Sequence, residues 1–295
     1  VISVNTAGLE SNPGFKLLSY KLIKRGMMAV VYGDLFMRVL YATRPYEAEP
    51  GSANALYEKW NDIAKENLRD GSWREFATNC RKICEAFDNL PVLDIKKPKV
   101  GVVGEILVKY HPVANNDIVG VIEDEGGEAV VLDLIDFFLY GMYNKKFNYE
   151  HLSGSRTLML GNAAAIKVLE LIRKPARKAL RASKRFNEPA YIQDTARAAS
   201  HVVSIGNQCG EGWLLTGEMV ELIENGVENI ACLQPFACLP NHVTGKGMMK
   251  AMRKFSPKAN IVAIDFDPGA SHVNQLNRIK LMMTTAHRNL EESDN

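Results

Sequence analysis

The sequence predicts an α/β fold: a mainly parallel sheet with helices on both faces, preceded by a mostly helical region and carrying a helical insertion. Three patterns carry this prediction. From Val100 onward, short apolar runs alternate with amphipathic stretches, as strands joined by helical crossovers do. Before Pro98 the apolar residues recur at helical spacing. Between about 134 and 199 the alternation gives way to a long helical texture. The expected division is a helical region over 1–97 that completes an upstream α/β unit, and an α/β domain over 98–295.

The elements follow in order. Ile2–Val4 reads as a short strand, and a chain opening on Val-Ile-Ser-Val suggests a piece of a longer protein. Asn12-Pro-Gly14 reads as a helix start, with Phe15, Leu18 and Leu22 on one face. Leu56, Trp60, Ile63 and Ala64 form one apolar stripe, and Phe76, Cys80, Ile83, Cys84 and Phe87 a second. Cys80 and Cys84 are four apart on that buried face, so they read as core. Lys96-Lys-Pro-Lys99 is a polar hinge. Beyond it come strands at Val100–Val103, Ala129–Leu132, Val202–Ile205, Asn229–Leu233 and Ile261–Ile264. Helices are expected over Pro112 to Asp124, Leu214 to Asn225, Lys246–Phe255 and Ser271 to Ala286.

Composition narrows the class. The 295 residues are 46% hydrophobic and 24% charged, which suits a folded globular chain. A net charge of +2 and a pI near 8.2 give no electrostatic case for nucleic acid. The longest apolar stretch, Met27 to Tyr41, contains Asp34 and Arg38 and fails as a membrane span. The expected compartment is the cytoplasm, where five irregularly spaced cysteines read as free thiols or metal ligands rather than disulfides.

Ligands of an open parallel sheet bind where loops leave the carboxyl ends of the strands. Here those loops are Gly104-Glu105, Asp133, Gly206-Asn-Gln-Cys209, Gln234 to His242, and Asp265-Phe-Asp267. Cys209, Cys232 and Cys238 all fall in or beside them. The Cys232-x5-Cys238 spacing matches neither a zinc ribbon nor a thioredoxin motif, and no further pair completes four ligands. Three thiolates suffice for a [4Fe–4S] cluster with one open iron. Cys232, at the end of a strand, reads equally as core. Cys238, between Pro235 and Pro240 and near His242, reads as functional.

Asn241-His-Val-Thr-Gly245-Lys246-Gly247 is expected to open a helix, so Asn241, Gly245 and Lys246 are candidates for holding an anion. The spacing is not that of a P-loop. His242 and Glu105 are candidate acid or base groups, with Glu211 weighed beside them. Asp265 and Asp267 read as helix caps. Arg173, Arg177, Arg181 and Arg185 recur every four residues and repel one another unless an anion is near, so they read as a solvated face or a site for coenzyme A phosphates or an acidic partner.

Three strings resemble a known family. Cys209-Gly-Glu-Gly-Trp-Leu-Leu-Thr-Gly-Glu218, Gln234-Pro-Phe-Ala-Cys-Leu-Pro-Asn-His242 and Ile264-Asp-Phe-Asp-Pro-Gly-Ala270, followed by Asn274-Gln-Leu-Asn-Arg-Ile-Lys280, look like the carboxyl-terminal part of the large CoA-substrate-specific enzyme activases. Those proteins are related to the (R)-2-hydroxyacyl-CoA dehydratase subunits and the double-cubane cluster proteins. The resemblance implies flavodoxin-like domains and an iron–sulfur cluster that receives low-potential electrons from an ATP-dependent activator. It also implies a cluster lying between two halves and held by three cysteines, with Cys238 the ligand of the later half. Partner cysteines are then expected before Val1, and Cys209 and Cys232 are the candidates to replace them. The ATP-binding portion has no counterpart in these residues.

Two function classes follow. One is an iron–sulfur, electron-accepting component of a dehydratase-like lyase or reductase, with metal ligands Cys238, Cys209 and Cys232 and catalytic candidates His242 and Glu105. The other is a regulatory module that binds acyl-CoA or the activator without turnover. A second copy of the chain is a further candidate partner. A flavin-binding reading ranks last, because no Ser/Thr-rich phosphate loop follows the first strand of the sheet.

Overall fold

The computed structural model of the chain describes residues 19–267, 269 and 271–294. The expected strand at Ile2–Val4 and the helix start at Asn12-Pro-Gly14 lie outside these residues. The fold is α/β, with one four-stranded, all-parallel sheet in the order β2-β1-β3-β4. The strands are β1 (Lys99–Gly104), β2 (Glu128–Val131), β3 (Asn229–Pro235) and β4 (Asn260–Phe266). Register runs Val102 to Val131 and Val103 to Cys232, and Cys232 to Ala263.

Both faces of the sheet are buried, as parallel strands require. Val100, Val102, Ala231 and Leu233 face helices α5 (Ile118–Asp124) and α12 (His272–Asp294), meeting Ile122, Ile279 and Met283. Val103, Ile230 and Cys232 face α9 (Gly212–Glu224) and α11 (Met249–Phe255), meeting Leu215, Met219 and Met252. Helices α1 (Tyr20–Tyr41), α2 (Ser52–Asp70) and α3 (Trp73–Asp88) form a third core with α7 (Arg156–Ala182). Cys80 and Cys84 are buried in it, as the helical stripe anticipates, and burial pushes the Cys84 thiol up to about 12. Among the described residues, no helix is long and apolar enough to cross a membrane.

Three expectations are corrected. Val202–Ile205 is a turn, not a strand: Val202 and Val203 donate backbone bonds back to Ala199, finishing α8 (Ile192–Ser200). The expected helix over Pro112 to Asp124 is shortened to α5, because Asn116 and Asp117 in left-handed conformation delay its start, and a separate short helix, α4 (Ile106–Tyr110), precedes it. The arginine stripe is a solvated face only at Arg181, which is exposed, while Arg173 and Arg177 are buried. Arg173 is buried and bonds Asp133 (2.5 Å) and Asp136 (2.7 Å), while Arg177 lies over the Tyr191 ring at 3.7 Å. Arg181 is held by Glu188, and Arg185, beyond the helix end, donates to the carbonyls of Phe87, Asp88 and Leu90. The anions that relieve the repulsion are the chain's own carboxylates.

Candidate functional site

β1 and β3 are neighbours, but the chain leaves β1 toward β2 on one side and leaves β3 toward β4 on the other. That reversal opens a crevice at their carboxyl ends. β1 ends on Gly104, where a Cβ would lie 2.0 Å from the Leu233 carbonyl oxygen, so only glycine permits the approach. The Glu105 backbone N–H then donates to the same carbonyl at 3.1 Å, locking the two strand ends together.

β3 leads through a tight turn, with Ala237 at a positive φ of 59°, into α10 (Leu239–Thr244). Cys238 stands immediately before this helix and is half-buried. Its carbonyl accepts from His242 N at 3.0 Å and lies 2.9 Å from His242 Nδ1. A carbonyl only accepts, so Nδ1 carries the proton and Nε2 is the free ring nitrogen. The Asn241 side chain is fully buried, and its Nδ2 donates to Glu211 Oε2 at 3.0 Å and to Cys238 Sγ at 3.1 Å. Glu211, also buried, accepts from the Ile106 backbone N–H at 3.2 Å through its other oxygen. One network therefore joins α4, the start of α9 and α10 across the crevice.

The three candidate thiols are not gathered. Cys209 is exposed, and its loop rests on α10: a Cβ at the adjoining Gly210 would stand 3.0 Å from Pro240 Cγ. Cys209 and Cys238 thus share the rim. Cys232 lies inside β3 with no exposure, and burial, aided by Glu218 and Asp265, pushes its thiol up to about 12. Gly245 covers it, since a Cβ there would lie 3.1 Å from Cys232 Sγ. Among the described residues, no group of three or more His, Cys, Asp or Glu side chains is arranged to hold a metal ion.

The other candidates have structural partners. Glu105 caps α4, its Oε2 accepting from Val108 N at 2.9 Å. Asn241 lies within α10, not in a loop opening a helix, and faces Glu211. Gly245 is needed for close packing, its Cβ position lying 2.6 Å from the Asn241 carbonyl oxygen and from Leu215. Lys246 pairs with Asp265 at 3.8 Å. These three residues form no open anion cradle. Asp265 is in β4 and accepts from Gln234 at 2.6 Å, so it does not cap α12.

Two features went unread in the sequence. The Glu211–Asn241–Cys238 chain joins residues about thirty apart that no local spacing announces. The rim also carries exposed apolar side chains, Phe236 (72%), Leu239 (72%) and Val243 (45%) beside Cys238, and Leu107 (59%) on α4. The spacing of Phe236, Leu239 and Val243 is that of a helix face, which was a readable signal.

A cavity of about 1040 Å³ opens at the opposite edge, lined by Lys97, Lys99, Arg253 and Lys258 among others. It lies at the amino ends of the strands, where α9, α11 and α12 finish. Two of these cations have partners within the chain: Arg253 donates to the Ile261 carbonyl at 3.1 Å and Lys99 pairs with Glu128 at 3.5 Å. The thiol crevice combines a half-buried sulfur with a built polar network. Compared with protein-family models, curated proteins and solved structures, the chain shows no match.

Proposed function

We propose that this chain supplies one half of the iron–sulfur site of a (R)-2-hydroxyacyl-CoA dehydratase-like, ATP-driven low-potential reductase system, with Cys238 as its ligand. The observation that carries the reading is a half-buried sulfur at the β1/β3 switch point, accepting an N–H···S bond and ringed by exposed apolar side chains. Sulfur ligands of iron sites are supported in this way by outer hydrogen bonds. When bound, the group would accept and return single electrons.

The residues present fit this group in part. Cys238 suits a ligand, and Cys209 reaches the same rim. Cys232 does not fit, because its sulfur is sealed beneath Gly245 and Leu215. The remaining ligands would come from outside the described residues, and the apolar rim is suited to docking the segment or partner that brings them. An ATP-dependent activator is the expected electron donor and an acyl-CoA the expected substrate. His242 Nε2 is the nitrogen available to exchange a proton with a substrate. Glu105 stays engaged in capping α4 and is better suited to holding the crevice shape.

The lack of a gathered ligand set favours a second reading, a regulatory module that binds activator or acyl-CoA. Iron and sulfide analysis with EPR separates the two, using anaerobically reconstituted wild type, Cys238→Ala, Cys209→Ala and a chain extended upstream. The first reading expects a brown protein that loses iron in Cys238→Ala. Iron content unchanged by that substitution sinks the assignment, and a colourless wild type, extended or not, favours the second.

A further inference from the structure

We propose that Glu211 and Asn241 are positioning residues for Cys238: Glu211 turns the Asn241 side chain so that its second amide hydrogen is donated to the Cys238 sulfur. A carboxylate oxygen can only accept, so Asn241 must present Nδ2 to Glu211 and not Oδ1. Nδ2 carries two hydrogens. One goes to Glu211 Oε2 at 3.0 Å, and the other is left for Cys238 Sγ at 3.1 Å.

Glu211 cannot swing away, because its Oε1 is held by the Ile106 N–H at 3.2 Å. The arrangement has a cost. Asn241 Oδ1 is buried with no hydrogen-bond partner, a defect that native interiors usually avoid. Turning the amide over would not remove it cheaply, since Oδ1 would then face a carboxylate. The orientation is therefore set by Glu211, and the sulfur receives a fixed donor.

This inference rests on the reading of Cys238 as an iron ligand. Loss of such an outer partner typically weakens metal binding about 10–100-fold. Asn241→Leu keeps the bulk and removes the donor. The double variant Glu211→Gln with Asn241→Asp exchanges donor and acceptor, so the clamp between the two positions is rebuilt while the sulfur receives no N–H. Iron affinity of the anaerobically reconstituted chain is measured beside the thermal midpoint.

The expected result is an iron affinity lower by about 10–100-fold in both variants, with a near wild-type midpoint for the double variant. In iron-free wild type, ¹⁵N spectra should show one Asn241 side-chain amide proton shifted by Cys238→Ala and the other by Glu211→Gln. Wild-type iron affinity in the double variant overturns the proposal, as do amide protons unmoved by Cys238→Ala. Should Cys238→Ala lose iron while Asn241→Leu keeps it, the positioning role falls and the iron reading stands. Should wild type take up no iron, that reading falls, and the amide shifts still decide the positioning role.

Discussion

Cys232 and Cys238 are separated by five residues, yet they meet opposite conditions. Cys232 shares its side of β3 with Ile230, the side that α9 covers, and its thiol touches only the protein interior. Cys238 follows the turn at Ala237 and keeps contact with water. Replacing each by serine should separate them. Cys232→Ser buries a hydroxyl among apolar side chains and should cost about 1–3 kcal/mol, whereas Cys238→Ser should stay within about 0.5 kcal/mol. Urea unfolding measures both, and equal losses would contradict the two environments. Iodoacetamide should likewise label Cys209 and Cys238 in the native protein and leave Cys80, Cys84 and Cys232 protected until it unfolds. The sequence placed all three loop-side cysteines at strand ends, and that holds for Cys232 and Cys238 around the end of β3, whereas Cys209 lies in the loop between α8 and α9 because no strand forms at Val202–Ile205. What decided between ligand and core was which residue lay inside the strand, where both faces are covered. A boundary error of two residues is ordinary in reading a sequence, and here it is the whole difference.

At the scale of elements, the strands of the sheet were the most legible part, because uninterrupted apolar runs bounded by Gly, Pro and Asp leave few alternatives. The error at Val202–Ile205 shows the limit of that signal. Val203 and Ile205 are apolar because they pack under the end of α8, against Trp213 and its neighbours. A four-residue run cannot tell that role from a strand. Helix α6 (Ile135–His151) shows another kind of information that local sequence lacks. Its N-cap residue is Leu134, which has no acceptor to offer. The cap comes from α1: Asp34 accepts from Leu134 N at 2.8 Å and Ile135 N at 3.1 Å. Burial and the neighbouring Asp133 push the Asp34 carboxyl well above its usual range, while Arg38 and Arg173 outweigh burial at Asp133 and hold it low. Asp34→Ala removes both acceptors and should cost about 2 kcal/mol, the upper end for a lost cap. Asp34→Asn keeps one acceptor and the uncharged state, so it should cost less than half as much. A chemical-denaturation series on the two variants checks the order, and an Asn variant as unstable as the Ala one would show that charge, not capping, is what α6 needs.

Across the whole molecule, the buried carboxyls give stability a direction with pH. Glu221 leaves α9 toward α8 and accepts from the Thr195 hydroxyl at 2.8 Å. Burial, reinforced by Asp136, raises its carboxyl to about 7, with the Thr195 bond acting the other way. Burial also raises Glu128 and Glu218, despite Lys99 beside the first and Lys109, 2.8 Å from the second. For such groups the folded chain holds a proton that the unfolded chain has already released. The unfolded carboxyl titrates near 4.3, so between there and about 7 the native state binds more protons. Stability is then full below the unfolded value and is lost as pH rises through the folded one. Asp133 runs the opposite way, but its change is complete in acid and does not affect this window. The urea midpoint of wild type should therefore fall between pH 5 and pH 8, with Glu221 contributing at most about 3 kcal/mol. Glu221→Gln fixes the uncharged state and keeps an acceptor for Thr195, so its midpoint should change less with pH and exceed that of wild type at pH 8. If the two proteins instead lose stability in parallel from pH 5 to pH 8, Glu221 does not titrate in this window, and the slope belongs to the other buried carboxyls, while the Thr195 hydroxyl still donates to Glu221.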